Sequence, residues 1–218
     1  MKRIGMLALA GVFLVVLSRD AGAQWVGVTA KVGTQGPGAD VTVRLLSRLN
    51  VRAGANYLDL DLDVPLDEAT VNGNLKWLTF PVLLDVHPFG GGFRLSGGVV
   101  FNGSEVGLSA VPNQTIALEG TDYEVVRLDG KITFPSMAYY LGLGYGNAVG
   151  RDGRWHFSFD LGIVYADTLN ADATAEASDP LLQDALNADL RTTLDGFEED
   201  AKGLVMYPAM SIGVSFGF

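Results

Sequence analysis

The last fifteen residues, Leu204 to Phe218, read LVMYPAMSIGVSFGF. Every second position is apolar: Leu204, Met206, Pro208, Met210, Ile212, Val214, Phe216 and Phe218. Most residues between them are small, Ala209, Ser211, Gly213, Ser215 and Gly217, with Val205 and Tyr207 the exceptions. A strand points alternate side chains to opposite faces, so one face here is continuously greasy and the other nearly bare. In a water-soluble sandwich the bare face wastes core volume. In a barrel that spans a bilayer, the greasy face meets lipid and the bare face meets a tight lumen.

The amino terminus fits a chain that leaves the cytoplasm. Met1-Lys2-Arg3 is a basic head, Ile4 to Leu17 an apolar run, and Ala21-Gly22-Ala23 a small-residue cleavage site before Gln24. This is the layout of a secretory signal peptide. The run is about 14 residues, short of the roughly 20 a membrane-spanning helix needs, and Arg19 and Asp20 close it off. Residues 1–23 are therefore read as a cleaved signal peptide and 24–218 as one domain.

Composition excludes several classes. The chain carries a net charge of −10, and the part after residue 23 is more acidic still. Phosphate contacts need clustered cations, so nucleic acid is not an expected partner. There is no cysteine, hence no disulfide framework and no thiolate metal site. After residue 23 no stretch has 18 consecutive apolar residues, which excludes helical spanning but leaves strand spanning open.

Period-two alternation predicts eight strands. They start at Trp25, Ala39, Val51, Leu75, Phe93, Met137 and Trp155, and the last is the C-terminal segment. Pro81 removes a ladder donor inside the fourth strand, which predicts a bulge there. The fold class is all-β: an eight-stranded antiparallel transmembrane β-barrel with one amphipathic helix in the last long loop. The turns at 47–49, 87–92 and 147–153 fall at one end and are short. The connections at 61–74, 103–135 and 167–203 fall at the other and are longer, as in membrane barrels. Tyr139, Tyr145, Trp155 and Tyr165 sit on outward faces and suit an interfacial aromatic girdle.

The signal peptide, the eight alternating segments and the terminal Phe218 resemble the small Gram-negative outer-membrane β-barrels, the OmpA-transmembrane and OmpW-like group. The resemblance covers nearly the whole mature chain. It implies residence in the cell outer membrane, contact with its lipid and lipopolysaccharide, and a C-terminal signal at Phe216 and Phe218 read by the assembly machinery. The group also hosts narrow channels, uptake of small hydrophobic compounds, adhesion and lipid-modifying enzymes, so the fold alone names no activity.

The inward faces carry Lys31, Asp40, Arg44, Arg52, Asp85, Arg94, His156 and Asp160. Charges in a lumen persist when paired or hydrated. An eight-stranded barrel leaves little free width, so a salt-bridged plug is expected ahead of a charged constriction. The reading is a barrel with a structural role, or passive binding and passage of a small solute, without a cofactor and without catalysis. The alternatives are a surface protein that binds through its long loops and, on His156 and Ser158, a lipid-modifying enzyme. Lipid A deacylases use such a His-x-Ser pair, but here it points inward and Asp160 is the only nearby carboxylate. A soluble β-sandwich is the competing fold. His87 sits in a turn and is expected to be solvated.

Outside the barrel, Asp59, Asp61 and Asp63 line one strand face, a further candidate for Ca²⁺ or for a divalent bridge to lipopolysaccharide phosphates. A solvated strand extension is the plainer reading of the same residues. Thr115 to Phe134 is expected to extend the fifth and sixth strands as a hairpin. From Ser178 to Ala201, Leu182, Leu186, Leu190, Leu194 and Phe197 recur at helical spacing behind Pro180, opposite an acidic face. The helix is expected as a lid over the barrel mouth or its own hairpin loop.

Overall fold

Alternation of buried and exposed side chains runs through strand after strand, as in Met137–Tyr145, where Ala138 and Tyr140 are buried and Met137, Tyr139, Leu141, Leu143 and Tyr145 are exposed. The computed structural model describes residues 25–66, 69–112, 115–150, 154–167, 169–200 and 205–218. The signal peptide expected at 1–23 lies outside the described residues.

Eight antiparallel strands close into a barrel. They are β1 (Val26–Gly33), β2 (Gly36–Leu46), β3 (Leu49–Leu66), β4 (Ala69–Val86), β5 (Phe93–Asn102), β9 (Met137–Tyr145), β10 (Trp155–Ala166) and β12 (Val205–Gly217). Each pairs with the next, and β12 returns to β1, with Val28 opposite Phe216. Closure removes every free strand edge from the wall. The inward and outward residues of all eight follow the expected faces. Among the described residues no helix is long and apolar enough to cross a membrane.

Strand ends differ from expectation. β2 begins at Gly36, because Thr34 and Gln35 make a two-residue hairpin closed by Gly36 at φ 85°, a backbone that favours glycine. The stretch 61–74 is not a long loop. β3 and β4 continue paired through it, from Asp61 opposite Asn74 to Leu66 opposite Ala69. Pro81 needs no bulge: the β3–β4 register is the same at Ala53–Val82 and at Asn56–Thr79, and the ladder only skips the pairs between. Pro81 instead pairs toward β5, opposite Val100.

The extended β4 edge above Thr79 would carry unpaired backbone groups, since β5 ends there at Asn102. β6 (Glu105–Pro112) takes that edge, from Lys76 opposite Glu105 to Ala69 opposite Pro112. β8 (Thr121–Thr133) pairs with β6, β11 (Asn170–Ala177) with β8, and the short β7 (Thr115–Leu118) folds back on β8. The segment expected as a hairpin on the fifth and sixth strands thus builds a sheet on the third and fourth instead.

Polarity inverts where the barrel becomes this sheet. Outward positions of β3 and β4 change from Tyr57 and Leu78 to Asp59 and Lys76, which are paired neighbours. Further out the same face carries Asp61, Asn74, Ser109, Asp129 and Lys131, while the inward face turns apolar with Leu58, Leu60, Leu75, Val106 and Ile132. Below the boundary the outside is greasy and the inside polar; above it, the reverse.

The helix closes part of the apolar face. Asp179 Oδ1 accepts from the Leu181 N–H at 2.9 Å, Pro180–Leu182 makes one 3₁₀ turn, and α1 (Gln183–Asp200) follows. It packs on β11 and β7, its own hairpin sheet. Leu186 and Leu190 are buried, with Leu186 against Tyr123, Val125 and Ala177. Leu182 and Phe197 of the expected stripe stay exposed. Gln183 clasps the β11 bulge, donating to Ala175 O and accepting from Ala177 N–H, both at 2.9 Å. Tyr123 donates to Asp189 at 2.6 Å. Leu186→Ala is expected to cost about 2–5 kcal/mol of helix docking. Hydrogen exchange checks this: α1 amides should lose protection while β9 and β10 amides keep theirs.

Candidate functional site: the luminal charge network

The barrel brings six of the eight expected luminal charges into one buried cluster. Arg52 on β3 is its centre. Its Nε donates to Asp85 Oδ2 at 2.9 Å and its Nη2 to Asp85 Oδ1 at 3.1 Å, a two-pronged pair. The same guanidinium reaches both Asp160 oxygens at 3.2 Å and Asp40 Oδ2 at 3.4 Å. Arg94 on β5 donates to both Asp160 oxygens at 2.8 Å, and also to Gly146 O. Lys31 on β1 lies 2.7 Å from Asp40 Oδ1. Ser96 completes the ring, donating to Asp85 Oδ1 at 2.5 Å. Lys31, Arg52 and Arg94 thus face Asp40, Asp85 and Asp160, and the cluster is neutral. Each charge sits where the strand period turned it inward, and the narrow bore forces them together.

Arg44 and His156 also point inward but lie outside this cluster. Arg44 stands opposite Asn50 across the β2–β3 pair, and His156 opposite Ser215, with its ring against Gly150. Asp160 does not serve as the acid of a His156–Ser158 relay, because both of its oxygens are held by Arg52 and Arg94.

Beneath the cluster, at the end that carries the short turns, the lumen is stoppered by the chain after β9. Val149 is fully buried and Ala148 nearly so. His87 is the clearest departure from expectation. It is not solvated but 2% exposed, held by Asn50 Nδ2 on its Nε2 at 3.1 Å and by Gly91 O on its Nδ1 at 2.9 Å. The signal was present: His87 shares the inward parity of Asp85. Asn50, Ser96 and Asn147 were missed as site residues because neutral polar residues carry no charge pattern to flag them.

Above the cluster Tyr140 lies across the glycines of β9 and β10; a Cβ at Gly162 would come within 2.5 Å of its ring. Leu83, Val100, Ala138, Val164 and Ala209 fill the same level. Trp77, Phe134 and Tyr207 then close the mouth, with Trp77 centred 5.0 Å from Phe134 and 5.2 Å from Tyr207. Small cavities flank Arg52, one of about 40 Å³ above it and one of about 10 Å³ below, and Arg52 lines both.

Of the carboxylates outside the barrel, Asn74 Nδ2 donates to Asp59 at 3.1 Å and to Asp61 at 2.8 Å, and Tyr57 donates to Asp59 at 2.8 Å. The Tyr57 bond, with that of Asn74, holds the Asp59 carboxyl below its ordinary range. An amide occupies the position a cation would take between these two. The side chain of Asp63 lies outside the described ones. No metal-binding group of three or more such side chains occurs among the described residues. The expected girdle residues Tyr139, Tyr145, Trp155 and Tyr165 all project outward and are exposed. Phe216 packs between Trp155 and Phe218, each ring pair 5.0 Å apart.

No protein-family model matches the chain, and no curated protein does. Among solved structures, Acinetobacter baumannii CarO2 is similar at 16% identity and a TM-score of 0.60, over 91% of this chain and 100% of that one. Acinetobacter baumannii CarO is similar at 17% identity and a TM-score of 0.56, over 92% and 100%. At such identities the likeness is one of fold: the chain is a closed eight-stranded β-barrel of that architecture.

Proposed function

We propose that the chain is an outer-membrane β-barrel whose lumen rests closed, so that it serves as an envelope scaffold and admits at most water and small ions. The single observation that carries the closed state is the neutral Arg52 cluster, which separates two cavities too small for any solute larger than a few waters. The membrane reading rests on the outward belt. Phe157, Leu141, Ile163, Ile212 and Leu84 are each at least half exposed and contiguous around the wall, an arrangement that water penalises and lipid accepts. On β3 and β10 the belt ends at Tyr57 and Tyr165, and polar side chains, Asp59 and Asp167, begin at the next outward position, where headgroups and lipopolysaccharide would lie. Phe216 and Phe218 are the proposed assembly signal.

The test is current through planar bilayers holding the mature chain. Near-silence at neutral pH is expected from protein shown to be folded by heat-dependent gel mobility. Large steady steps would overturn the closed reading.

A second reading gains weight from the extension, which has its own core of Tyr123, Val125, Ala177 and Leu186. A surface-binding role would be lost on deleting β6–β8 or α1 while the barrel stays folded.

A further inference from the structure

The stopper at the turn end is held by a polarised chain of hydrogen bonds. His87 Nδ1 bonds to Gly91 O, a carbonyl that only accepts, so the ring proton sits on Nδ1 and Nε2 is left an acceptor. Asn50 Nδ2 fills that acceptor at 3.1 Å. The same amide nitrogen gives its second hydrogen to Asn147 Oδ1 at 3.2 Å. Asn147 Oδ1 also accepts the N–H of Val149 at 3.2 Å. The order is Gly91, His87, Asn50, Asn147, Val149: His87 donates to Gly91, Asn50 donates to both His87 and Asn147, and Val149 donates to Asn147, which fixes the sense of both amides.

A proton on His87 Nε2 reverses that sense. The ring then presents N–H to an amide NH₂, donor against donor, and Asn50 must turn its oxygen to the ring. That oxygen now faces Asn147 Oδ1, so Asn147 must turn in its place and present NH₂ to the Val149 N–H. The reversal ends on a fully buried backbone donor without an acceptor, which the folded state disfavours. Asn147 and Val149 belong to the segment that fills the lumen; the Gly150 N–H to Asn147 O bond at 2.9 Å is internal to it, and at its start Gly146 is tied to the wall by its N–H to Gly92 O at 2.8 Å and by the Arg94 bond to its carbonyl.

We propose that His87 is an acid sensor and that its protonation releases the Asn147–Gly150 stopper, opening the turn end of the lumen to solvent. The proposal rests on the closed-lumen reading. Among the described residues, the charged and titratable groups around His87 are Asp85 on β4, Arg52 on β3, Arg94 on β5, Arg44 on β2, Arg48 in the neighbouring turn and His156 on β10 beside Gly150. Asp85 already pairs with Arg52 and Ser96, so its charge is compensated before it reaches the ring. Burial holds the His87 imidazole below its ordinary value. The folded state therefore binds this proton less readily than the unfolded chain. The stability it contributes is present above an ordinary histidine pKa of about 6.5 and is lost as pH falls below it.

The experiment uses the absence of native cysteine. Val149→Cys is labelled with a charged, water-soluble thiol reagent in detergent micelles at about pH 7.5 and about pH 5. Rates are normalised to Ser47→Cys, an exposed turn position, at the same pH. The expected result is slow labelling at the higher pH and a normalised rate that rises by up to roughly tenfold per unit as pH falls from about 6.5 toward the folded-state value, levelling off below it. His87→Gln keeps an oxygen acceptor near the Nε2 position and cannot charge, so it should stay slow at both. Asn147→Ala removes the last acceptor and should label fast at both. A flat normalised rate in the Val149→Cys protein, or the same acid rise with His87→Gln, overturns the proposal. Because labelling is read in micelles, failure here is separable from failure of the closed-lumen reading, which the neutral-pH bilayer current tests alone.

Discussion

Arg52→Ala is expected to destabilise the barrel by about 3–5 kcal/mol and to open a cation-selective path. The energy follows from what stays behind: Asp85, Asp160 and Asp40 lose their shared partner while buried in a narrow bore. The selectivity follows from charge. Two cations, Lys31 and Arg94, then face three carboxylates, and the divider between the two cavities is gone. Asp160→Asn should act in the opposite sense, leaving Arg52 and Arg94 with less negative charge between them and favouring anions. Urea titration of folded protein in vesicles reads the first effect, and reversal potentials in bilayers under a salt gradient read the second. Arg52→Ala combined with Asp85→Ala should cost less than the sum of the two, because each removes the other's uncompensated partner. If Arg52→Ala is neutral and silent, the cluster is neither the barrel's brace nor its barrier.

Leu141→Arg is expected to cost about 2–4 kcal/mol in lipid vesicles, the cost of a cation on the lipid face near mid-bilayer. Leu141 projects outward from the middle of β9, paired with Ile163 on one side and Gly97 on the other, and is 75% exposed. In water such a change on so exposed a residue would fall within about 0.5 kcal/mol of neutral. The contrast makes the substitution a test of the solvent around the belt. Thr174→Arg, exposed on the extension sheet, is the control and should be near neutral. Equal, small costs at both sites would return the chain to water and revive the soluble sandwich.

Much of the barrel could be read from the chain because one rule governs all eight strands. Lipid outside and a crowded bore inside demand strict alternation, and alternation survives as a one-dimensional signal in stretches such as Trp155 to Tyr165. The same parity placed Asp40, Arg52, Asp85, Arg94 and Asp160 inside. The extension was less legible. Alternation in Leu58, Leu60 and Leu75 continues past the boundary, but the face that seeks burial changes there, so the stretch 61–74 read as loop. Nor could spacing show that β6 would take the β4 edge left by β5, because that choice depends on which backbone groups are left unpaired once the wall has closed.

The helix shows the same division. Pro180 and the leucine period marked it, yet only Leu186 and Leu190 became fully buried on the small sheet, while Leu182 and Phe197 stayed exposed. His87 shows it most sharply. A histidine between Val86 and Pro88 is a turn residue to any local rule. Its burial depends on a segment some sixty positions later folding into the bore.

By itself, then, the sequence determined the class of solvent each face must meet, the number of wall strands and the identity of the charges turned inward. These are properties of period and composition, written residue by residue. Tertiary structure alone decided which charges pair, that their sum is neutral, which strand edges the outer segments complete, and that a histidine and two asparagines latch a stopper. Those outcomes depend on distances across the bore, and distance across a closed sheet is fixed only when the last strand meets the first.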